Sequence, residues 1–506
     1  MGSSENNKDI SSNDGISLNR AEWQSWLEEL ERRREAALAM GGPERVEKYM
    51  HSRGKLTARE RLLRLFDPGS FVELGLLVGS EEDIPADAFV CGHGHIKGRL
   101  AFAGAEDFTV LGGSIGSGGT AKRYRIAELA GQEGVPLVMM LEGAGHRLTD
   151  TGGSRAPNDL LALGDLGGKV PMVCLIMGAS AGHSAITAPL SDFTIMTSYG
   201  SMFTGGPPLV RAATGEEVTK EELGGIDVCA KVAGTVHNVA ETDEDALEMA
   251  CKYLSYMPQN CRSFAPRYES NDTGPRFCEE LLDIIPPNDR RPYDMHQVVT
   301  CLTDEGAFFE FQPDYGQSLI CGLAHMGGEA VAIVANNPSH LAGALDSPAA
   351  IKGEEFLEVI SNFGHPVIFL ADNPGVMAGT QAEKSGILRW GGRMFRAQRR
   401  MPNPKVQVTL RKAFGFGAVT MGQNPFDHQT MTFSLPTVNM AAMPADSGGR
   451  SAKLDEETQA QVEADQRAGP YRQANRLGCD EVVDPRELRN ALLAAVELCV
   501  ARRGYR

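Results

Sequence analysis

PMVCLIMGASAGHSA, residues 171–185, and PKVQVTLRKAFGFGA, residues 404–418, are the two stretches that decide the fold. Each coincides with a short run of β-branched and aliphatic residues, Val170–Met177 at one and Val406–Leu410 at the other, that leads into glycine and small residues. Another such pair stands just upstream. Val135–Leu141 runs into EGAGHR (142–147), and Pro366–Leu370 runs into ADNPG (371–375). Short aliphatic runs that end in glycine turns and lead into helical stretches read as buried parallel strands alternating with helices. The fold class is therefore α/β.

The two stretches belong to a longer repeat. FVELG (71–75) resembles FFEFQ (308–312), and GHGHIKGR (92–99) resembles GLAHMGGE (322–329). EGVPLVMMLEGAG (133–145) resembles FGHPVIFLADNPG (363–375). With 171–185 against 404–418, the matches keep one order at an offset of about 230–237 residues. Each is weak alone, but in register they read as an internal duplication. The blocks run from about 56 to 260 and from about 295 to 506. Residues 260–294, rich in Pro, Asn, Asp and charge, read as a connector. The expected division is 1–55 as tail and helical segment, 56–275 as first domain and 276–506 as second. Residues 1–18 are polar and read as disordered. In 20–40, Trp23, Trp26, Leu27, Leu30 and Ala37 recur at helical spacing. Thr57 and Glu60 form a capping-box pattern, and Asp67-Pro68-Gly69 ends that helix as a turn.

Composition narrows the function. The 506 residues are 42% hydrophobic and 23% charged, with a net charge of −17. That is a soluble globular profile without the basic face of a nucleic-acid binder. The ten cysteines form no CxxC pair, which argues against a disulfide framework or a zinc ribbon. No apolar run approaches the roughly 20 residues that span a bilayer, and no signal-peptide core is present. The expected compartment is the cytoplasm, or an organelle matrix after removal of a transit peptide. HExxH, Walker A and EF-hand patterns are absent. His93 and His95 share a strand face without a third ligand, so no metal is expected in this chain.

Chemistry is left to the turns. LGGSIGSGGTAKRYR (111–125), EGAGHR (142–147) and GASAGHSA (178–185) each follow a strand. A chain passing from strand to helix exposes backbone N–H groups without intrahelical partners, at the positive end of the helix dipole. Small residues let a ligand approach them, which is how backbone alone builds an oxyanion hole. Gly178-Ala179-Ser180-Ala181-Gly182 also fits the G-x-S-x-G elbow of a serine hydrolase, and so does the segment around Ser114. Against a hydrolase, the second block has Ala413 where Ser180 stands, and a hydrolase gives no reason for a duplication.

At full length the chain resembles the carboxyltransferase β subunits of biotin-dependent acyl-CoA carboxylases, the group with propionyl-CoA and methylcrotonyl-CoA carboxylase. RGKLTARERLLRLFDPGSFVELG (53–75), TGEEVTKEELGG (214–225), AGTVH (233–237), LADNPGVMAGTQAE (370–383), GILRWGG (386–392) and DEVVDPRELR (480–489) carry the resemblance. It implies two tandem crotonase-like domains in a homohexamer built as a trimer of dimers. It further implies an active site at the dimer interface, with acyl-CoA on the first domain of one chain and biotin on the second domain of its partner. The carboxyl group passes from carboxybiotin to the enolate of a CoA thioester, and each developing oxyanion needs its own hole. Without a biotinylation motif or an ATP-binding module, the chain is expected to work with a biotin carboxylase and a biotin carboxyl carrier subunit. A biotin-dependent decarboxylase subunit is the alternative on the same fold.

Carried over by position, the acyl hole falls on the amides of Gly182 and His183, where the family usually has two glycines. The biotin hole falls on Phe416 and Gly417 after Gly415, where Gly-Gly-Ala is usual. Thr420 stands where propionyl-type enzymes carry an aspartate that shapes the acyl pocket. Gly143, Ala144 and Gly145 replace a Ser-Gly-Gly pattern on the CoA side. Lys122, Arg123 and Arg125 are the candidates for meeting CoA phosphates. His146 and His183 are the histidines closest to the expected chemistry.

Overall fold

The computed structural model describes residues 12–148, 150, 158–423 and 428–502. Its first sheet contains β1 (Val72–Leu74), β2 (Phe89–Ile96), β3 (Arg99–Glu106), β4 (Leu137–Gly143), β5 (Met172–Ala181), β6 (Phe193–Thr197), β7 (Ser201–Phe203) and β8 (Asn238–Ala240). The order is β1-β2-β3-β4-β5-β6-β8, with β7 paired to β5. β1, β2 and β3 are antiparallel neighbours, and from β3 onward every pairing is parallel.

The second sheet contains β9 (Phe309–Phe311), β10 (Leu319–Met326), β11 (Glu329–Asn336), β12 (Val367–Asn373), β13 (Lys405–Phe414), β14 (Gln429–Ser434), β15 (Asn439–Ala441) and β16 (Glu481–Val482). Its order is β9-β10-β11-β12-β13-β14-β16, with β15 paired to β13. Strand for strand this is the first sheet again, with the same switch from antiparallel to parallel at the third strand. The duplicated α/β arrangement, two crotonase-like domains in tandem, is thus the observed fold.

The repeat extends to single bonds. Glu106 at the end of β3 accepts the Glu142 amide at 2.8 Å, and Asn336 at the end of β11 accepts the Asp372 amide at 3.1 Å. In the helices that follow, Ser117–Glu133 and Ser347–Phe363, Lys122 and Lys352 bury their amines against carbonyls of earlier segments, Ala86 for Lys122 and Gln312 and Tyr315 for Lys352.

The domains share a core. Val173, Phe193, Tyr253, Phe309, Phe311 and Phe356 lie in one buried cluster that crosses from the first sheet to the second. Phe193 stacks on Tyr253 with ring centroids 4.5 Å apart, and its fully buried side chain contributes about 1.5–3 kcal/mol. Asn238 of β8 ties the sheets edge to edge. Its Nδ2 donates to the Glu310 carbonyl at 2.9 Å, and its Oδ1 accepts the Gln312 amide at 3.1 Å.

The capping box forms as read: Thr57 accepts the Glu60 amide and Glu60 accepts the Thr57 amide, opening the helix Ala58–Leu65. The N-terminal expectation needs correction. The first helix spans Ser12–Leu38, so helix begins inside the stretch expected to be disordered; residues 1–11 lie outside the described residues. Trp23 and Trp26 stay 63% and 70% exposed. Periodicity identified an apolar stripe but could not say what covers it. No described helix is long and apolar enough to cross a membrane.

Asp192, just before β6, sits in the interior with the Met172 amide on its Oδ2 at 2.8 Å. Burial pushes its carboxyl up to about 7. The unfolded group ionises near 3.9, so from about pH 4 to 7 the folded state holds more protons. Stability therefore falls as pH rises through this window. Asp192→Asn is expected to be more stable than the parent at pH 8 by on the order of 4 kcal/mol, and near parity at pH 4. Urea unfolding at the two pH values checks this; an equal difference at both would contradict it.

Candidate active site

Three turns meet at the carboxyl ends of β3, β4 and β5. The Ile115 amide donates to Gly145 O, and the Arg147 amide donates to Ile115 O, both at 2.8 Å. The Ala144 amide donates to Gly112 O at 3.1 Å, and Gly143 is paired with Ser180 across β4 and β5. Gly143, Ala144 and Gly145 thus stand beside the 180–184 turn. This is the edge at which parallel α/β sheets bind ligands. The second domain repeats the weave, with the Leu345 amide on Gly375 O at 3.2 Å and the Met377 amide on Leu345 O at 2.9 Å.

At the tip of each turn the backbone takes the same left-handed step. Gly182 has φ +57° and Gly415 has φ +53°, a region in which a side chain is strained. The expected acyl hole needs correction. The Gly182 amide continues the β5–β7 pairing and donates to Phe203 O at 3.0 Å, so that donor is spent. The next amides, of His183 and Ser184, meet no acceptor among the described residues. The correction brings the turns into register, because His183 and Ser184 match Phe416 and Gly417.

The His183 side chain leaves the turn sideways. Its Nε2 lies 2.6 Å from Oδ1 of Asp159, the first residue of the helix Asp159–Leu166. Asp159 is fully buried, and its Oδ2 accepts from Arg123 Nε at 2.7 Å. Burial opposes ionisation of Asp159, but the His183 hydrogen bond and the Arg123 charge hold the carboxyl down at about 2. His146 places its ring 6.3 Å from that of His183, edge to face.

Two expected phosphate contacts are spent in the interior. Arg123 is fully buried and bonds Asp159, Glu106 and Thr187. Lys122 is buried, with its amine on the carbonyls of Ala86 and Phe89, and burial pulls its pKa down. Only Arg125 stays at the surface, paired with Glu128. Lys122→Met is expected to lower stability by about 1–3 kcal/mol through the carbonyls left behind. The KM for a CoA ester should stay within about twofold of the parent, because no uniform binding contact is lost. A selective rise in that KM would contradict the assignment.

The hydrolase reading also fails on geometry. Ser180 is fully buried, and its hydroxyl donates to Ser184 Oγ at 3.1 Å, which donates on to Glu106 at 2.6 Å. No histidine touches Ser180 among the described residues. Ser114 Oγ donates to Leu111 O at 2.9 Å and accepts from Arg147. Neither hydroxyl has a base to activate it.

On the second turn, Phe416 and Gly417 are the second and third residues of the short helix Gly415–Thr420, so their amides have no intrahelical acceptor. A Cβ on Gly417 would stand 2.5 Å from Asn373 Oδ1 and 2.8 Å from the Gly375 backbone. Phe416 is 41% exposed, its ring against Phe395 at 5.6 Å. Thr420 is fully buried, and its hydroxyl donates to Phe416 O at 2.8 Å, bracing the turn from behind. A cleft of about 1070 Å³ opens beside this turn, lined by Pro374, Lys412, Phe414 and Asn439. Free amides and an accessible aromatic face stand on this turn, with an open cleft beside it.

Sequence reasoning missed the buried ions that brace both turns. Arg61 bonds Asp243 at 2.8 Å and Glu142 at 2.7 Å, with Lys55 on the same Glu142. Arg411 bonds Asp372 at 2.8 Å under the Tyr293 ring, 4.5 Å from its centroid. One signal was available: Glu142 and Asp372 fall at matching places in the repeat, as do Lys122 and Lys352.

Comparison with known proteins supplies the remaining constraint. Residues 49–505 match the carboxyl transferase domain family. The α subunit of methylmalonyl-CoA decarboxylase from Veillonella parvula is 35% identical over 490 residues, covering 92% of this chain and 94% of the relative. The mitochondrial propionyl-CoA carboxylase β chain from Homo sapiens is 33% identical over 497 residues, covering 95% and 92%. The structure of transcarboxylase 12S, a hexamer assembly with methylmalonyl-coenzyme A and methylmalonic acid bound, superposes with a TM-score of 0.88 at 34% identity, covering 94% of this chain and 96% of the other.

Proposed function

The chain belongs to the carboxyl transferase domain family, and from that premise we propose that its two glycine turns divide one reaction between them. It is a carboxyltransferase of the biotin-dependent acyl-CoA carboxylase group. The observation that carries the division of labour is the matched left-handed step at Gly182 and Gly415, each at the end of the same strand in a duplicated sheet.

The first domain, 56–275, takes the CoA thioester, and the second, 276–506, takes biotin. Biotin, attached to a separate carrier protein, supplies the activated carboxyl group. The chain's own residues do the rest. The His183 amide, with Ser184 behind it, holds the thioester oxygen as it turns negative on enolate formation. The Phe416 and Gly417 amides hold the ureido oxygen on the other side. Preorganised amides of this kind are worth about 10²–10³ in rate each. The buried ion pairs fix the turns so that no reorganisation is needed when charge develops.

The partners follow from the same reading: a biotin carboxylase and a carrier subunit. The assembly is a homohexamer, a trimer of dimers in which each site takes its acyl turn from one chain and its biotin turn from the other. The exposed Trp23–Trp26 face is available for such contacts. The compartment is the cytoplasm, or an organelle matrix after removal of a transit peptide.

The test is reconstitution with biotin carboxylase, carrier, ATP, labelled bicarbonate and a panel of CoA esters. Carrier-dependent label in at least one ester is expected; none in any, with a partner pair proven competent, would sink the proposal. The decarboxylase among the relatives motivates running the assay backward, and the faster direction tells which way the chain works.

A further inference from the structure

We infer that Cys278 and Cys301 are a peroxide-sensitive dithiol, a modification site whose disulfide closes a covalent loop around one wall of the cleft beside the second turn. Both thiols are free in the structure.

Three observations carry it. First, the thiols are held together. Cys278, where the connector enters the second domain, donates its S–H to the Cys301 carbonyl at 3.3 Å. That carbonyl lies in the last turn of the helix Met295–Leu302, where it lacks an intrahelical partner. The two thiols also hydrogen-bond each other. Second, the pair is asymmetric. Arg276 Nη1 donates to Cys278 Sγ at 3.1 Å, while Cys301 Sγ lies 3.8 Å from Glu280 Oε2. A guanidinium on one sulfur and a carboxylate near the other favour thiolate at Cys278 and thiol at Cys301. The hydrogen bond from Cys301 and the Arg276 charge outweigh burial and draw the Cys278 thiol below its ordinary range. Burial pushes the thiols of Cys91, Cys174 and Cys321 up instead. Cys278 is buried, but Arg276 and Cys301 are only half-buried, so the pair lies at the edge of the core.

Third, the segment between the two cysteines is part of the cleft. They stand 23 positions apart. Between them the carbonyls of Pro286, Asn288 and Arg291 accept from Arg411 Nη1 at 3.2, 2.9 and 2.8 Å. The Asp289 carbonyl accepts from Lys412 Nζ at 3.0 Å. Asn288, Asp289 and Arg290 line the cleft together with Lys412. This segment is one wall of the cleft, and Cys278 and Cys301 stand at its two feet.

In the step, the Cys278 thiolate attacks one oxygen of hydrogen peroxide and the O–O bond breaks. The departing hydroxide takes a proton and leaves as water, and the Cys278 sulfur is left as a sulfenic acid. The Cys301 sulfur attacks it, the S–O bond breaks, and a second water leaves with the Cys301 proton. Two thiols are oxidised to one disulfide while the peroxide is reduced to water. A dithiol reductant reverses the bond by exchange.

The test uses the full chain, reduced, freed of reductant and treated with a slight excess of hydrogen peroxide. The chain is then alkylated under denaturing conditions and mapped by mass spectrometry. A peptide joining Cys278 to Cys301 is expected, and its loss on adding dithiothreitol. Cys301→Ser removes the thiol that resolves the sulfenic acid, so trapping of Cys278 by dimedone should rise about tenfold over the parent. No joined peptide from the parent, joining of either residue to another cysteine instead, or trapping no greater in Cys301→Ser than in the parent overturns the inference.

Discussion

Gly417→Val is expected to lower carrier-dependent carboxylation by about 100-fold or more, with binding of the CoA ester unchanged. Even the first carbon of a side chain at 417 would lie 2.5 Å from Asn373 Oδ1 and 2.8 Å from Gly375. Neither neighbour yields easily. The Asn373 Oδ1 already accepts the Gly375 amide at 3.1 Å, and its Nδ2 is bound to Asn336 at 3.0 Å. The turn itself must move, and the Phe416 and Gly417 amides move with it. A displacement of about 1 Å is enough to cost 10²-fold when a reaction depends on fixed donors. The reconstituted assay and calorimetry with the CoA ester check the two halves separately. Lost ester binding together with lost transfer would mean that the turn does not serve the biotin side alone.

Arg61→Met is expected to lower unfolding stability by about 3–5 kcal/mol. Arg61 is fully buried between Asp243 and Glu142, both buried themselves. Removing its charge leaves two carboxylates facing each other in the interior, with Lys55 on Glu142 and the Tyr199 hydroxyl and Leu56 amide on Asp243. The loss comes from stranding these acids rather than from the attraction itself. Arg64→Met is the control. Arg64 meets Glu244 at 3.6 Å on the surface, where a pair contributes about 0–1 kcal/mol. Urea unfolding of both variants decides the matter, and equal effects would contradict the assignment of a bracing role to Arg61.

The difference between these two sites also explains what could be read from sequence. The strands were legible because they are apolar runs cut by glycine, and the duplication because four segments kept one order. The turns were legible for the same reason. Their hydrogen bonds were not. Gly182 looked like a free donor, but its amide is taken by Phe203 O where β7 runs beside β5. Lys122 and Arg123 looked like ligands for phosphate because a Lys-Arg pair after a glycine loop is usually exposed, yet both face inward. Burial of charge depends on partners far away in sequence. Arg123 needs Asp159 and Thr187; Arg61 needs Asp243. Only the repeat could have warned of it, since Lys122 and Lys352 hold matching places and one chemical role for both was not on offer. The hydrogen bond of Thr420 was not legible either, because a helical hydroxyl that bonds the carbonyl four residues back has the sequence signature of any other threonine.

Subunit mixing tests the central claim most directly. His183→Pro removes the acyl-side amide, and Gly417→Val displaces the biotin-side turn, so each homohexamer should be inactive in the carrier-dependent assay. If one turn serves each substrate and the site is shared between chains, co-assembled hexamers contain hybrid pairs in which one of two sites is intact. Activity should return to about a quarter of the parent value for random pairing. Hybrids as inactive as their parents would contradict the account.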